Sequence, residues 1–219
     1  MKINKLALAT LILLVPSLTA NIKYSLNPQV GDKVIKIIDG DTFKLENNQT
    51  IRLASIDAPE VGFCYSSEAT MALSDLILNK RVTLLEPYAS VDGRIIALVI
   101  SNGQIINEVM VRNGYATDTY DNFSAKKALQ SANDYARQKS LGIYSEQCSQ
   151  VVPSDLGCVI KGNHHQADNS KIYSYPGCTN YNRTIVGLFE GDQWFCSESE
   201  AKKAGYVRSG DCQSDFGKF

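Results

Sequence analysis

The sequence predicts an α+β fold class, in which a small five-stranded β-barrel with three helices precedes a small disulfide-stabilised α/β module. Five apolar, β-branched segments and three amphipathic segments follow one another without regular strand–helix alternation. Four of the six cysteines lie in the last 62 residues, whereas the longer part before them has two. This change in cysteine density places a domain boundary before Cys158.

The first three strands form a meander. The segments "DKVIKII" and "TFKLE" are apolar and β-branched, and Asn47-Asn48 can turn the chain into "TIRLASI". The segments "RVTLLEP" and "RIIALVI" are two further strands, joined by a turn that contains Asp92-Gly93. These are the five strands of the predicted barrel.

Three segments have the periodicity of amphipathic helices. The segment "INEVMVRNG" predicts a short helix that ends at Gly114. The first and third helices each carry an apolar stripe, made of Ala69, Ala72, Leu73, Leu76 and Ile77 and of Ala128, Leu129, Ala132, Tyr135 and Ala136. Five strands with one helix after the third and others near the end predict an oligonucleotide-binding (OB) fold.

Residues 1–20 have the layout of a secretory signal peptide. Lys2 and Lys5 precede an uninterrupted non-ionic run from Leu6 to Val15, which is too short to cross a bilayer. We expect cleavage near Ala20 and export to the periplasm or the medium, without membrane attachment. A retained N-terminal anchor is the alternative.

The remaining chain is expected to contain an OB-fold domain at residues 30–148, a linker at 149–157 and a small module at 158–212. Removing the signal peptide takes away two lysines and no acids, so the net charge changes from −1 to −3. No basic surplus exists to hold polyanions non-specifically. Binding of nucleic acid must therefore depend on locally placed charges or on a bound cation.

Acids and one arginine lie at the ends of the second and third strands. Asp41 opens the second strand, and Asp57 and Glu60 follow the third. Because consecutive strands of a meander are antiparallel, Asp41 and Asp57 can come together. Arg52 lies an odd five residues before Asp57, so strict alternation puts them on opposite faces unless a bulge or strong twist intervenes. The spacing alone leaves this point open.

Clustered carboxylates favour a cation between them. A site of oxygen ligands suits a hard cation such as Ca²⁺, with water completing the six to eight ligands, and the absence of His and Cys from this segment disfavours zinc. The alternative is that Asp39-Gly40 and Asp57-Ala58-Pro59 simply form turns.

Four segments in order, "DGDTFKL", "IRLASIDAPE", "DGRIIALVI" and "NEVMVRNGYA", give the chain a resemblance to the thermonucleases, the micrococcal-nuclease-like family. The resemblance runs from about Val34 to Cys148. It implies a hydrolase: a Ca²⁺-dependent phosphodiesterase that acts on DNA and/or RNA and leaves 3′-phosphates. It implies no stable protein partner, and we expect a monomer.

The resemblance also implies roles for individual residues. Asp41 and Asp57 resemble the calcium carboxylates, with the carbonyl of Ala58 as a further ligand and Asp39 as an acid that supports the metal site. Glu60 resembles the residue that orients or deprotonates the attacking water. The remaining three positions resemble two phosphate-binding arginines and a substrate-contacting tyrosine, and they are Arg52, Arg94 and Tyr120.

One segment departs from the family pattern. Where members usually have D-x-Y-G-R, this chain has "SVDGR", with Ser90 at the position of the acid and Asp92 at that of the tyrosine. Asp92 either pairs with Arg94 and competes with phosphate, or makes the Asp-Gly turn. We favour the turn.

The tail resembles a small module that is often joined to thermonuclease domains and carries "IKGN", "KIY" and "WFCSE" segments. Ser197 and Glu200 have capping-box spacing and Gly205 can close the helix that they begin. The segments "KIYSY" and "QWF" are predicted strands, and the tail aromatics are expected to form a core rather than a base-stacking surface.

The cysteines are expected to form disulfides, because the chain is predicted to be exported. The alternative is a zinc site that combines His164 and His165 with tail cysteines. Four tail cysteines allow three pairings. We expect the bonds Cys64–Cys148, Cys178–Cys196 and Cys158–Cys212.

Two rival functions remain at this point. One is a non-catalytic protein that binds nucleic acid or a surface polymer through the same OB-fold. Such a protein should have lost acids or arginines, whereas every predicted catalytic and metal position is filled. The other rival places the function in the tail, with the barrel as its carrier.

Overall fold

The fold was determined as a computed structural model, which describes residues 31–119, 121, 123–165 and 168–212. The predicted signal peptide and Tyr120 lie outside these residues. Among the helices of the described residues, none combines the length and the apolarity that a bilayer crossing requires.

The larger part of the chain is a closed five-stranded β-barrel, as the sequence predicts. Four antiparallel pairings connect its strands, and a parallel pairing of the third strand with the sixth closes it. The strands are β1 (Asp32–Ile37), β2 (Thr42–Leu45), β3 (Thr50–Leu53), β4 (Ile56–Asp57), β5 (Arg81–Ala89), β6 (Ile95–Ser101), β7 (Gln104–Ile105) and β8 (Thr117–Asp118). The short strands β4 and β8 pair with each other outside the barrel wall.

Three helices pack against the barrel, namely α1 (Ser66–Ile77), α2 (Ile106–Arg112) and α3 (Lys126–Gln138). The apolar stripe of α1 is buried through Ala69, Leu73 and Ile77. The prediction for α3 was wrong at Tyr135, which is 38% exposed. Its ring is covered by the guanidinium of Arg112 at 4.2 Å, because an aromatic face attracts a cation at the surface.

In its described residues, the module contains the four-stranded sheet β13-β10-β11-β14, one α-helix and a short 3₁₀ helix, Tyr181–Arg183. Its elements, together with the short strand that precedes it, are β9 (Ser149–Gln150), β10 (Ile160–His165), β11 (Ser170–Ser174), β12 (Val186–Gly187), β13 (Gln193–Phe195), α4 (Glu198–Lys203) and β14 (Val207–Arg208). The predicted cap is present, since the Ser197 hydroxyl accepts from the Glu200 N–H at 3.2 Å. Gly205 closes the helix with a φ of 88°.

The module core is aromatic, as expected. Tyr173, Tyr175 and Phe195 are buried together with the alanine of α4. Lys161 of β10, which is not part of this aromatic cluster, is also buried, with only 2% of the residue exposed. Its Nζ donates to the carbonyls of Tyr181 and Thr184 at 2.9 and 2.6 Å.

All six cysteines are in disulfides, which excludes a zinc site built on their thiolates. The Cys64–Cys148 bond is as predicted. The other two pairings were wrong, because the structure joins Cys158 to Cys196 and Cys178 to Cys212. Cys158 precedes β10 and Cys196 follows β13. The antiparallel pairing of these two strands places both cysteines at the same end of the sheet.

Besides the chain connection, backbone and side-chain contacts attach the module to the nuclease part of the chain. Ser149-Gln150, which we assigned to the linker, forms β9 and pairs with β12 of the module. The Leu188 N–H donates to the Cys148 carbonyl at 2.8 Å, and Phe189 packs edge-on against Tyr144. The segment 186–189 is therefore fixed beside the Cys64–Cys148 bond.

Candidate active site

The structure brings together the side chains of Asp41, Arg52 and Asp57. Arg52 Nη1 lies 2.6 Å from Asp41 Oδ1, and Arg52 Nη2 lies 2.5 Å from Asp57 Oδ1. One guanidinium thus bridges two carboxylates, one from the bend before β2 and one from β4.

A turn, rather than a bulge within a strand, places Arg52 beside Asp57. Strand β3 ends at Leu53, and Ser55 takes a left-handed φ of 58° before β4 begins at Ile56. Because this turn interrupts the pleat, the odd spacing no longer sends the two side chains to opposite faces. The Arg52 side chain reaches Asp41 on the neighbouring strand side, because β2 pairs Thr42, the next residue after Asp41, with Arg52.

A buried asparagine, Asn107 of α2, supports this turn. Its amide donates to the carbonyl of Ala54 at 2.8 Å, and its carbonyl accepts from the N–H of Val99 at 2.9 Å. Asn107 is fully buried, so these bonds fix the path of the chain between Arg52 and Asp57. Sequence reasoning missed it, and the polar residue in the apolar segment "INEVMV" was the available signal.

Gly40 is a second residue whose part in the site sequence reasoning missed. A Cβ on Gly40 would lie 2.7 Å from the Cβ atoms of both Ala58 and Ala69. Only glycine lets the Asp39–Asp41 loop approach both Ala58 and helix α1 this closely. The sequence analysis treated Gly40 only as a possible turn residue.

Asp41 is a buried carboxylate with a limited set of donors. Its side chain is 3% exposed, and it accepts from Arg52, from the Thr42 hydroxyl at 2.7 Å and from the Ala58 N–H at 3.1 Å. Burial raises the pKa of Asp41 to about 6, although Arg52 acts in the opposite direction. Asp39 accepts from the Asp41 N–H at 3.0 Å, and its charge also raises this pKa.

The charges around Arg52 fit a cation of the calcium type. Three carboxylates, those of Asp39, Asp41 and Asp57, surround one guanidinium, so negative charge is in excess. The metal-ligand atoms that these three side chains offer are all carboxylate oxygens, the ligand type that Ca²⁺ prefers. The Asp57 side chain is 35% exposed and therefore accessible to water and substrate.

Glu60 and Arg94 occupy more exposed positions. Glu60 lies on the surface, three residues after Asp57. Arg94 precedes β6, in which Ile96 pairs with Arg52. Arg94 thus lies two residues before the partner of Arg52, at the beginning of the neighbouring strand.

Asp92 makes the Asp-Gly turn and also pairs with Arg94. Its carboxylate accepts from the Arg94 N–H at 3.3 Å within the turn, and it also pairs with Arg94 Nε at 2.6 Å. The hydrogen bond from Ser90 is the main reason why the pKa of Asp92 is lowered. In this structure Arg94 is engaged by Asp92, whereas Arg52 is engaged by Asp41 and Asp57.

Comparison with known proteins identifies relatives of the chain. The profile of the Staphylococcal nuclease homologue family matches residues 50–146. The chain is 34% identical over 131 residues to a "Micrococcal nuclease" of Shigella flexneri, covering 54% of this chain and 75% of the relative. It is 31% identical over 121 residues to an "Uncharacterized endonuclease" of Escherichia coli, covering 53% and 78% of the two chains.

The chain belongs to the staphylococcal nuclease family. The resemblance to thermonucleases is thereby confirmed, and the protein is a nuclease, a hydrolase built on an OB-fold. The family match contains Arg52, Asp57, Glu60 and Arg94, and it ends before the module begins.

In this member of the staphylococcal nuclease family, a cleft of about 520 Å³ lies between the candidate site and the module. One wall comes from the nuclease domain, at residues 57–59 and 117–119. The other wall comes from the module, through His164, His165, Phe189 and Glu190. The site is therefore not bounded by the barrel alone.

Proposed function

We propose that this nuclease is an exported, calcium-dependent phosphodiesterase that hydrolyses DNA and/or RNA and leaves 3′-phosphates. The observation that carries the proposal is the bridging of Asp41 and Asp57 by Arg52, at 2.6 and 2.5 Å. The arrangement combines oxygen ligands for a hard cation with a guanidinium that can bind phosphate.

Asp41 and Asp57 would hold the calcium ion, together with the carbonyl of Ala58 and water. Bound there, the ion would neutralise charge on a phosphoryl oxygen. Asp39 supports the site without binding the ion, because its carboxylate accepts a hydrogen bond from the Asp41 N–H and so fixes the backbone at Asp41. The cost of burying Asp41 is a reason for this carboxylate to favour a cationic partner.

Arg52 and Arg94 stabilise the phosphate as negative charge develops on it. Arg52 donates through Nη1 and Nη2 to the two carboxylates that would hold the cation, so it would exchange these bonds for phosphate when cation and substrate bind. Arg94 must exchange Asp92 for phosphate. Since that ion pair is exposed to solvent, which screens it, a doubly hydrogen-bonded phosphate can replace it.

Glu60 acts as the general base towards the attacking water. Its exposed position after Pro59 gives it access to solvent. General-base assistance accounts for about 10²–10⁴-fold, so most of the acceleration falls to the arginines and the cation. Tyr120, which lies outside the described residues, remains a predicted substrate contact.

The domain limits remain part of the proposal: a signal peptide at residues 1–20, the nuclease domain at 30–148, a linker at 149–157 and the module at 158–212. Three disulfides support export to an oxidising compartment, where such bonds persist. We propose that the mature chain acts as a monomer, with nucleic acid as its binding partner.

Digestion of DNA and RNA by the purified chain, with calcium and with a chelator, tests this function. We expect cleavage with calcium and none in chelator. Glu60→Gln should reduce the rate by about 10²–10⁴-fold, whereas Glu68→Gln, an exposed acid on α1, should not change it. Full activity of both Glu60→Gln and Arg94→Ala would overturn the assigned roles. Binding without cleavage would favour the non-catalytic rival.

A further inference from the structure

We propose that the module forms the second wall of the substrate cleft and that His165 stacks on the base of a nucleotide next to the scissile phosphate. This inference rests on the proposed function for its substrate class. It assigns a binding site to a part of the chain that lies outside the family match. The observations behind it are the cleft, its two walls and the position of His165 in the lining.

The module wall is fixed to the nuclease domain at several points. Strand β12 pairs with β9, and the Leu188 N–H donates to the Cys148 carbonyl at 2.8 Å. The indole N–H of Trp194 donates to Gln150 Oε1 at 2.8 Å. These contacts lie on both sides of the cleft-lining residues 189–190, so the wall has a defined position opposite Asp57.

Asp192 connects this wall to the end of β10, where the histidines lie. It is 5% exposed. Its carboxylate accepts from the His164 N–H at 2.7 Å, from Asn163 Nδ2 at 2.7 Å and from the Gly187 N–H at 2.9 Å. A buried carboxylate with three donors holds both segments in register, and Asp192 is therefore a positioning residue for the cleft.

Of the two histidines, His165 is the one available to a ligand. His164 is half-buried, and its Nε2 is hydrogen-bonded to Asn169 Oδ1 at 2.7 Å. His165 is exposed and lines the cleft. An imidazole plane can stack on a nucleobase, as aromatic side chains do in single-strand recognition.

The charges of the cleft favour a base over a phosphate. Asp57, Asp118 and Glu190 all line it. Burial raises the pKa of Glu190, and Asp192 and Asp57 add to this effect, whereas Arg137 and His165 oppose it. A phosphate would be repelled here, whereas a neutral base can donate its amino hydrogens to carboxylate oxygens. The volume of about 520 Å³ is in the range of sites for small organic groups.

Binding of uncleavable strands tests the subsite without relying on turnover. The probes are tetranucleotides whose 5′ bridging oxygens are replaced by methylene, with calcium present. One probe has all its bases, and the others each lack a single base at successive positions. For the mature chain, loss of one particular base should weaken binding about tenfold, the usual scale of one stacking contact.

In His165→Ala, the same base should no longer matter, so the two probes should bind within about twofold of each other. His165→Phe keeps a stacking surface and should restore the tenfold difference. Lys203→Ala, an exposed substitution elsewhere in the module, should behave as the unsubstituted chain. An undiminished base effect in His165→Ala would overturn the proposal, as would an equal weakening towards all probes.

Failure of the proposed function would give a different result. A natural tetranucleotide incubated with calcium reports cleavage separately. If it remained intact while the base effect persisted and depended on His165, the catalytic proposal would fail and the subsite would stand. If it were cleaved while no base effect appeared, the nuclease proposal would stand and the subsite would fail.

Discussion

The barrel and the module solve the same stability problem in different ways. Among the residues that the structure describes, the barrel core has 21 buried residues in one apolar cluster, whereas the module core has eight. A small domain buries too little apolar surface to offset the conformational entropy of its chain. The module is stabilised further by two disulfides, whereas the barrel is stabilised mainly by its apolar packing. Covalent links thus replace packing where the chain is short.

The two regions also treat buried charge differently. Lys161 and Asp192 in the module each contact several uncharged partners, which satisfies their hydrogen-bonding capacity. Asp41 in the barrel shares one arginine with a second acid. Buried charge in the module is therefore held by uncharged partners, whereas in the barrel one arginine is shared between two acids.

The largest effect should follow removal of both module disulfides, by alanine at Cys158, Cys196, Cys178 and Cys212. Loops of 38 and 34 residues are closed by these bonds. Each bond is worth about 3–4 kcal/mol by loop-closure entropy, so the module should unfold while the barrel remains folded. Amide hydrogen exchange should show loss of protection in β10 and β11 but not in β5 and β6. Persistent protection in β10 would contradict the comparison.

A cavity in the barrel should have the next largest effect. Phe43 is fully buried, so Phe43→Ala should reduce the free energy of unfolding by about 3–5 kcal/mol. The disulfide-linked module should keep its protected strands. Denaturant titration measures the loss, and Val91→Ala, at a fully exposed position, should change it by less than about 0.5 kcal/mol. An equal loss of protection in both regions would show that they unfold as one unit.

Acid should stabilise the calcium-free barrel through Asp41. Its pKa of about 6 when folded lies above the unfolded value, so protonation favours the folded state. The contribution is fully present below about pH 4 and is lost as the pH rises through 6, an effect of about 2–3 kcal/mol. Denaturation in chelator should show stability rising from pH 7 to pH 4 more steeply in the unsubstituted protein than in Asp41→Asn. Parallel pH profiles would contradict this.

The smallest of these effects should come from Lys161→Met. The substitution keeps the apolar stem but leaves the carbonyls of Tyr181 and Thr184 without their donor. We expect a loss of about 1–3 kcal/mol, confined to the module. Hydrogen exchange of β10 measures it, with Lys203→Met on the exposed face of α4 as the matched control. A stability gain would show that the buried ammonium is a net cost.

The sequence predicted the barrel well because its strands and helices depend on local patterns. Alternation in "TFKL" and the apolar stripe through Ala69, Leu73 and Ile77 follow from burial on one face. Tyr135 was wrong because the stripe does not show where the barrel surface ends. The pairing of the tail cysteines was wrong because it depends on which strands become neighbours, and cysteine spacing carries no such information.

The candidate site was predictable in composition but not in geometry. Asp41 and Asp57 were expected to meet because β2 and β3 are antiparallel. Their bridge through Arg52 depends on a left-handed Ser55 that no residue preference indicates. The module wall was not predicted at all, because β9 and β12 are only two residues long and have no recognisable pattern.

The pairing of β9 with β12 has a consequence for how the cleft admits its ligand. A seven-residue connection, 151–157, lies between β9 and the first module disulfide, and both of its ends are tied down. These two attachments restrict hinge motion of the module relative to the barrel. We therefore expect the cleft to keep a nearly constant width and to select its ligands by size.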